Sequence, residues 1–179
     1  MEIDLLHRPM ADGDIALEPL ADVHREGLRA CCRDDDPVWS IYPVNLVGEG
    51  FDGGFAAVLG DGGRRAFAIL QAGQVAGMTA FLNLAPERQT LELGGTFMAP
   101  WVRGTGLNTR VKRLMLARAF GAGVRRVEFR VDARNGRSLR AVEKLGAVRE
   151  GVLRAERITW TGHLRDTVIF SILSGERQG

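Results

Sequence analysis

Cysteine is almost missing from this chain of 179 residues: two are present, Cys31 and Cys32, and they are neighbours. Adjacent cysteines do not readily bridge each other, and no second pair exists to complete a zinc site. A disulfide framework is therefore excluded, and two semi-buried thiols in a reducing, cytoplasmic setting are expected. Long apolar runs are missing too. No stretch of about 18 apolar residues occurs, which excludes a membrane-spanning helix. The acidic opening MEIDLLHRPMADGDIALEPL lacks the apolar core of a signal peptide. Charge of one sign is also lacking, since a net charge of +2 argues for neither nucleic-acid nor membrane binding. The three histidines, His7, His24 and His163, are scattered without ligand spacing, so no metal site is expected.

What is present is globular: 45% apolar and 26% charged residues, in a length that suits one domain over residues 1–179 with a real core. Most arginines fall within 103–157, while acid concentrates in the run DDD at 34–36. That asymmetry points to an anionic ligand for the C-terminal half and a cationic one nearer the N-terminal half.

IALEPLA (15–21) reads as a first strand and DVHREGLRACC (22–32) as a helix opened by Asp22. From 33 to 63, Pro37, Pro43 and many glycines break the pattern, and short helical turns or a loosely held segment both fit. RAFAIL (65–70) and VAGMTAFLNL (75–84) around QAGQ predict a hairpin. TLELGGTFM (90–98) alternates at its start, Leu91 and Leu93 against Glu92, and its glycine pair predicts a bulge or a close approach to the backbone. After Gly106 the spacing of Leu107, Val111, Leu114 and Met115 predicts a helix with Arg110, Lys112, Arg113 and Arg118 largely off its apolar stripe, ended by GAG at 121–123. RRVEFRVDA (125–133) alternates as a strand. NGRSLRAVEKLG (135–146) is a helix capped near Asn135, and the remainder closes as a hairpin around TGH. The order is that of an α/β (α+β) domain, a mixed sheet with helices on its faces.

The stretch PWVRGTGLNTRVKRLMLARAF (100–120) has more small residues at its helix start than a cap requires. Amides at a helix start have no internal partners and carry partial positive charge. Glycines let a ligand approach them, so the segment is a candidate phosphate cradle, with Arg103 on the approach and the Thr105 and Thr109 hydroxyls inside it. A P-loop requires a lysine that this loop lacks. A dinucleotide loop requires a third glycine where Thr109 stands, and an acidic residue about 20 positions on that neither Glu128 nor Asp132 supplies well.

RGTGLN (103–108) resembles the acyl-CoA pyrophosphate loop of GNAT-type N-acetyltransferases, R/Q-x-x-G-x-G/A at the start of a long helix, with Asn108 where that pattern has Gly or Ala. The longer GTGLNT, followed by a basic amphipathic helix, resembles the branch of ribosomal-protein N-terminal acetyltransferases, the Rim type. NGRSLRAVEKLGAVREGVLR (135–154) is similar to the same branch's N-x-x-S-x-x-x-x-E-K-x-G-F/A-x-x-E-G pattern. The likeness follows element order over roughly 15–173 and is specific across 90–154.

The resemblance implies a mostly antiparallel sheet splayed between two parallel strands, 90–98 and 125–133, with acetyl-CoA as donor in the opening. It places the backbone of Phe97 and Met98 along the pantetheine arm. Arg103, Gly104, Thr105, Gly106, Leu107, Asn108 and Thr109 fall at the pyrophosphate, and Asn135 and Ser138 near the thioester. A tyrosine common in the family seven residues after the motif asparagine is Val142 here. Glu92 is the candidate base and Ser138 a candidate donor to the leaving sulfur. For each a structural role stays open: a solvated strand carboxylate for Glu92, a helix cap for Ser138. An α-amine, with a pKa of about 7.7–8.0, asks little of a base. Trp39, Tyr42 and Phe51 either line an acceptor pocket or anchor a loop. The acceptor is a primary amine, a peptide N-terminus or a small molecule. Another acyl donor, or a silent CoA-binding protein, stays open, as does pairing of two copies through the edge of the closing hairpin.

Overall fold

The computed structural model describes residues 1–176 and carries one open eight-stranded mixed sheet with helices packed on it. Its strands are β1 (Met10–Asp12), β2 (Ile15–Pro19), β3 (Arg65–Gln71), β4 (Gln74–Ala85), β5 (Thr90–Met98), β6 (Arg126–Asp132), β7 (Val148–Ile158) and β8 (Leu164–Leu173). The helices are α1 (Ile3–Leu6), α2 (Arg25–Cys31), α3 (Phe51–Gly60), α4 (Leu107–Gly121) and α5 (Gly136–Glu143). Across the sheet the order is β1-β2-β3-β4-β5-β6-β8-β7. β5 and β6 run parallel, and the other neighbouring pairs are antiparallel.

The expected hairpin of β3 and β4 turns on two residues, Ala72 and Gly73, both at positive φ (48° and 80°). That geometry matches the twist of the strands it joins. The core collects Phe67, Phe81, Phe97, Phe129 and Phe170, all essentially sealed from water, from β3, β4, β5, β6 and β8 in turn. Burying side chains of this size contributes roughly 1.5–3 kcal/mol each.

Three expectations change. Residues 1–14, unassigned from the pattern, form α1 and β1 and are tied down by α4. Arg110 donates to Asp14 (2.9 Å), and Arg118 donates to the carbonyls of Leu5, Arg8 and Pro9 at 2.8–3.0 Å. Much of the arginine excess is thus spent inside the fold, as with Arg126, which grips Glu150. The acidic run is spent likewise: Asp34 accepts from the Gly48 amide, Asp35 from Arg33 and Asp36 from Arg103. Asp36 is thereby buried and committed, while Asp34 and Asp35 stay exposed in the loop.

Lys112 is the third correction. It is buried with the core-facing residues of α4, 5% exposed, whereas Leu114 is only partly buried. The buried face of the helix is thus wider than the apolar stripe alone suggests. The segment from 33 to 63 resolves into short turns at Pro37–Ser40 and Gly48–Gly50 and the helix α3.

Candidate active-site cleft

β5 and β6 pair over three rungs only, Thr90 with Arg126, Leu91 with Val127 and Glu92 with Glu128. Beyond them β5 continues against β4 and β6 against β8, so the two strands part and open a cleft of about 660 Å³. A bulge bends β5 away: Ala80 faces Gly94 while Met78, two residues on, faces Phe97 three residues later. Gly95 takes φ +56° inside it, a conformation that costs a side-chain-bearing residue and suits glycine. The bulge is held from outside. The Tyr42 hydroxyl donates to the Gly95 carbonyl (2.7 Å), and the Trp39 ring stacks on Phe97 with centroids 4.8 Å apart.

Trp39 and Phe51 are therefore buried anchors, Phe51 through its stack on Phe55, whereas Tyr42 both anchors and lines the cleft. Burial raises the Tyr42 phenol well above its ordinary value.

At one end of the opening sits the start of α4. Its cap residue, Gly106, is left-handed at φ +89° and has no side chain to cap the helix, Gly104 is at φ +82°, and Thr105 Oγ1 accepts weakly from the Leu107 amide (3.4 Å). A Cβ on either glycine would meet nothing within 4 Å, so the approach is open. Among the described residues the backbone amides of Gly104, Gly106 and Asn108 make no hydrogen bond, while the Asn108 side-chain oxygen, an acceptor, is buried without a partner. Unsatisfied donors at a helix start, with the helix dipole behind them, fit a diphosphate.

Arg103 frames this cradle. Its Nε donates to the Met98 carbonyl (2.8 Å), and its Nη2 is paired with the buried Asp36 carboxylate, fixing the loop to β5. That arginine holds the carboxyl of Asp36 below its ordinary value against the opposing pull of burial. Thr109 lines the cleft; Thr105 and Leu107 do not. The Thr105 hydroxyl donates to the Val102 carbonyl (2.8 Å), and Leu107 is a core side chain.

α5 borders the same cleft with Asn135, Ser138 and Val142. Asn135 Oδ1 accepts from the Ser138 amide (3.0 Å), so Asn135 is the helix cap and the half-buried Ser138 hydroxyl is left available to the cleft. Cys31 and Cys32 are buried outside it, and burial pushes the Cys32 thiol up to about 12.

Glu92 lies where the strands part and is 8% exposed, which removes the solvated reading. Asn83 Nδ2 donates to its Oε2 (2.7 Å), and Arg130 Nε stands 4.0 Å away. Burial raises its carboxyl above the ordinary value against the lowering effects of Asn83 and Arg130. Opposite stands the residue that pattern reading missed. Lys112 Nζ donates to Thr96 Oγ1 (2.5 Å) and approaches Thr79 Oγ1 (3.5 Å) at the cleft wall. Burial brings its amine down to about 7, opposed by Glu92. The signal for it was present: Lys112 falls one and two turns before Leu116 and Ala119, both buried.

Known proteins provide the comparison. The model of the acetyltransferase (GNAT) domain family matches residues 14–148. A candidate acetyltransferase from T. thermophilus is 38% identical, with 94% of this chain covering 90% of that one at a TM-score of 0.83. A GCN5-related N-acetyltransferase from Brucella melitensis is 26% identical, 95% covering 80%, at 0.85. The spermidine N-acetyltransferase from Vibrio cholerae in complex with CoA and spermine is 17% identical, 91% covering 97%, at 0.73, a likeness of fold. No curated protein sequence matches. With its splayed parallel pair, its bare helix start and a family match over most of its length, the chain belongs to the GNAT acetyltransferase family.

Proposed function

We propose that this protein transfers an acetyl group from acetyl-CoA to a primary amine by direct attack with donor and acceptor bound together. One observation carries the reading. The opening between β5 and β6 has free amides at a helix start at one end and a buried carboxylate, Glu92, at the strand divergence. Acetyl-CoA, when bound, supplies a thioester carbonyl to which an amine can add. Gly104, Gly106, Asn108 and Thr109 would hold its diphosphate, and the free edges of β5 near Phe97 and Met98 would run beside its arm.

Glu92, kept partly protonatable by burial, accepts the proton of the incoming ammonium. The Ser138 hydroxyl, free because Asn135 caps the helix, is placed to donate toward the leaving sulfur. Neither cysteine offers a thiolate to the cleft, which favours direct transfer over a covalent acyl-enzyme. The likeness of 103–109 and 135–154 to the ribosomal-protein branch supports a peptide N-terminus as one acceptor class. The spermine bound by the Vibrio cholerae neighbour supports small amines as the other. The test is release of free thiol from acetyl-CoA with a panel of amines that includes peptides beginning with Ser, Ala or Thr. Release with at least one amine supports the reading, and none with any overturns it.

A further inference from the structure

The acetyltransferase reading accounts for the helix-start end of the cleft and leaves its other end unexplained; the inference below rests on that reading. Beside Glu92, β6, β7 and β8 bring three arginines together: Arg130, Arg157 and Arg165. A bulge in β7, with Ala155 at φ +50°, sets the four steps from Leu153 to Arg157 against two in β8, from Thr167 to Arg165. Glu156 inside the bulge accepts from Arg130 Nη2 (2.9 Å), Arg157 Nε (2.6 Å) and Thr167 Oγ1 (3.1 Å). Those bonds hold its carboxyl down at about 2, so it stays charged and fully committed.

Arg165 has no such partner. It is 5% exposed, forms no ion pair among the described residues, and donates from Nη2 only to the Arg130 carbonyl (3.1 Å). Its Nε is buried with no hydrogen bond, as is that of Arg130. The nearby Asp132 is already taken by Arg134 (2.8 Å). Burial, then the neighbouring charge of Arg157, push the Arg165 guanidinium below its ordinary value. Asp132, Glu156 and Glu92 act on Arg165 from nearby, but none forms an ion pair with it among the described residues. A buried guanidinium left this way is costly, and a bound anion would relieve that cost. Planar, forked donors of this kind match a carboxylate in particular.

We propose that the acceptor is an amine that also carries a carboxylate, an amino-acid-type zwitterion. Its carboxylate docks on Arg165, with Arg130 and Arg157 flanking, and its amine faces Glu92. Arg165 bonds the Arg130 carbonyl, Arg130 Nε stands 4.0 Å from Glu92, and all three line the same cleft, so one ligand can meet both recognition groups. A polyamine would bring a second positive charge toward Arg165, which has no ion-pair partner among the described residues, and is disfavoured here. The product of transfer, an N-acetylamino acid, keeps the carboxylate and loses the ammonium.

That product class gives a probe independent of turnover. The protein is heated with each of the common N-acetylamino acids, with the matching N-acetylamino-acid amides, with spermidine, and separately with CoA. At least one N-acetylamino acid raises Tm, its neutral amide binds at least tenfold more weakly, and spermidine gives no rise. Arg165→Met, shown to be folded by an undiminished CoA-dependent rise, loses the preference for acid over amide, and Arg165→Lys keeps part of it. Should Arg165→Met not fold, the comparison of acid with amide in the unaltered protein decides alone. Equal binding of acids and amides, tighter binding of spermidine, or no response to any acid while CoA stabilises overturns the proposal. Absence of any CoA response overturns the acetyltransferase reading instead.

Discussion

Gly94 is bare because Glu92 fills the space beside it: a Cβ on Gly94 would lie 2.8 Å from Glu92 Oε1 and 3.1 Å from Leu82 Cδ1. The glycine expected to make way for a cofactor makes way first for the carboxylate. Gly94→Ala therefore displaces Glu92 and strains its hydrogen bond from Asn83. Turnover falls by about 10-fold, since displacements of this order cost up to ~10²-fold. CoA affinity, measured by calorimetry, stays within about 3-fold.

Glu92→Gln separates base from bystander. The carboxylate takes a proton only where the acceptor still has one to lose, below about 7.7–8.0 for an α-amine. With a peptide acceptor the variant is about 10²-fold slower at pH 6–7, and the deficit closes above pH 8.5. With a free amino acid, whose own carboxylate makes its ammonium hold the proton more tightly, the deficit persists to higher pH. A kcat profile from pH 5.5 to 9.5 unchanged in shape and height would remove Glu92 from the mechanism.

Lys112 weakens the fold in a pH-dependent way. Its amine titrates near 7 in the folded protein and at 10.5 in the reference state. Between those values the unfolded chain binds the extra proton, so this residue makes stability rise with pH from about 7 toward 10.5. Below 7 the burial cost is present in full. Lys112→Met gains about 1–4 kcal/mol at pH 6, shrinking as pH approaches 10, in urea unfolding across that range. A variant no more stable than the parent at pH 6 would contradict the buried-amine account.

Asn135 and Ser138 divide capping from chemistry. Asn135→Ala removes the side chain that accepts from the Ser138 amide and costs about 1 kcal/mol of stability. Ser138→Ala leaves that bond intact, so unfolding midpoints match the parent while kcat falls. Full activity in Ser138→Ala would end the role given to its hydroxyl.

Much of this architecture could be read from spacing, for identifiable reasons. Alternation at Val127, Phe129 and Val131, and the two-residue turn at Ala72 and Gly73, are local signals that tertiary context did not override. The opening segment was illegible because α1 is four residues long and β1 three, and they are held by Arg118 at Leu5 and by Arg110 at Asp12, about a hundred positions away. The glycine loop was legible because positive φ at Gly104 and Gly106 is a backbone property that residue type reports. Lys112 was harder to read: its spacing from Leu116 and Ala119 puts it on the buried face, but a lysine on a helix ordinarily lies in water. Its burial follows from the bulge that carries Thr96 to it. The unpaired state of Arg165 likewise depends on which carboxylates its neighbours have already taken.

The central claim is that the bare amides around Gly104 and Gly106 bind the diphosphate of coenzyme A, and titration calorimetry tests it most directly. CoA should bind the parent protein one to one, and Gly106→Glu, which sets a carboxylate in the cradle at a left-handed position, should abolish the heat while Tm stays within a few degrees. No heat with the parent, or undiminished binding to Gly106→Glu, would contradict the account.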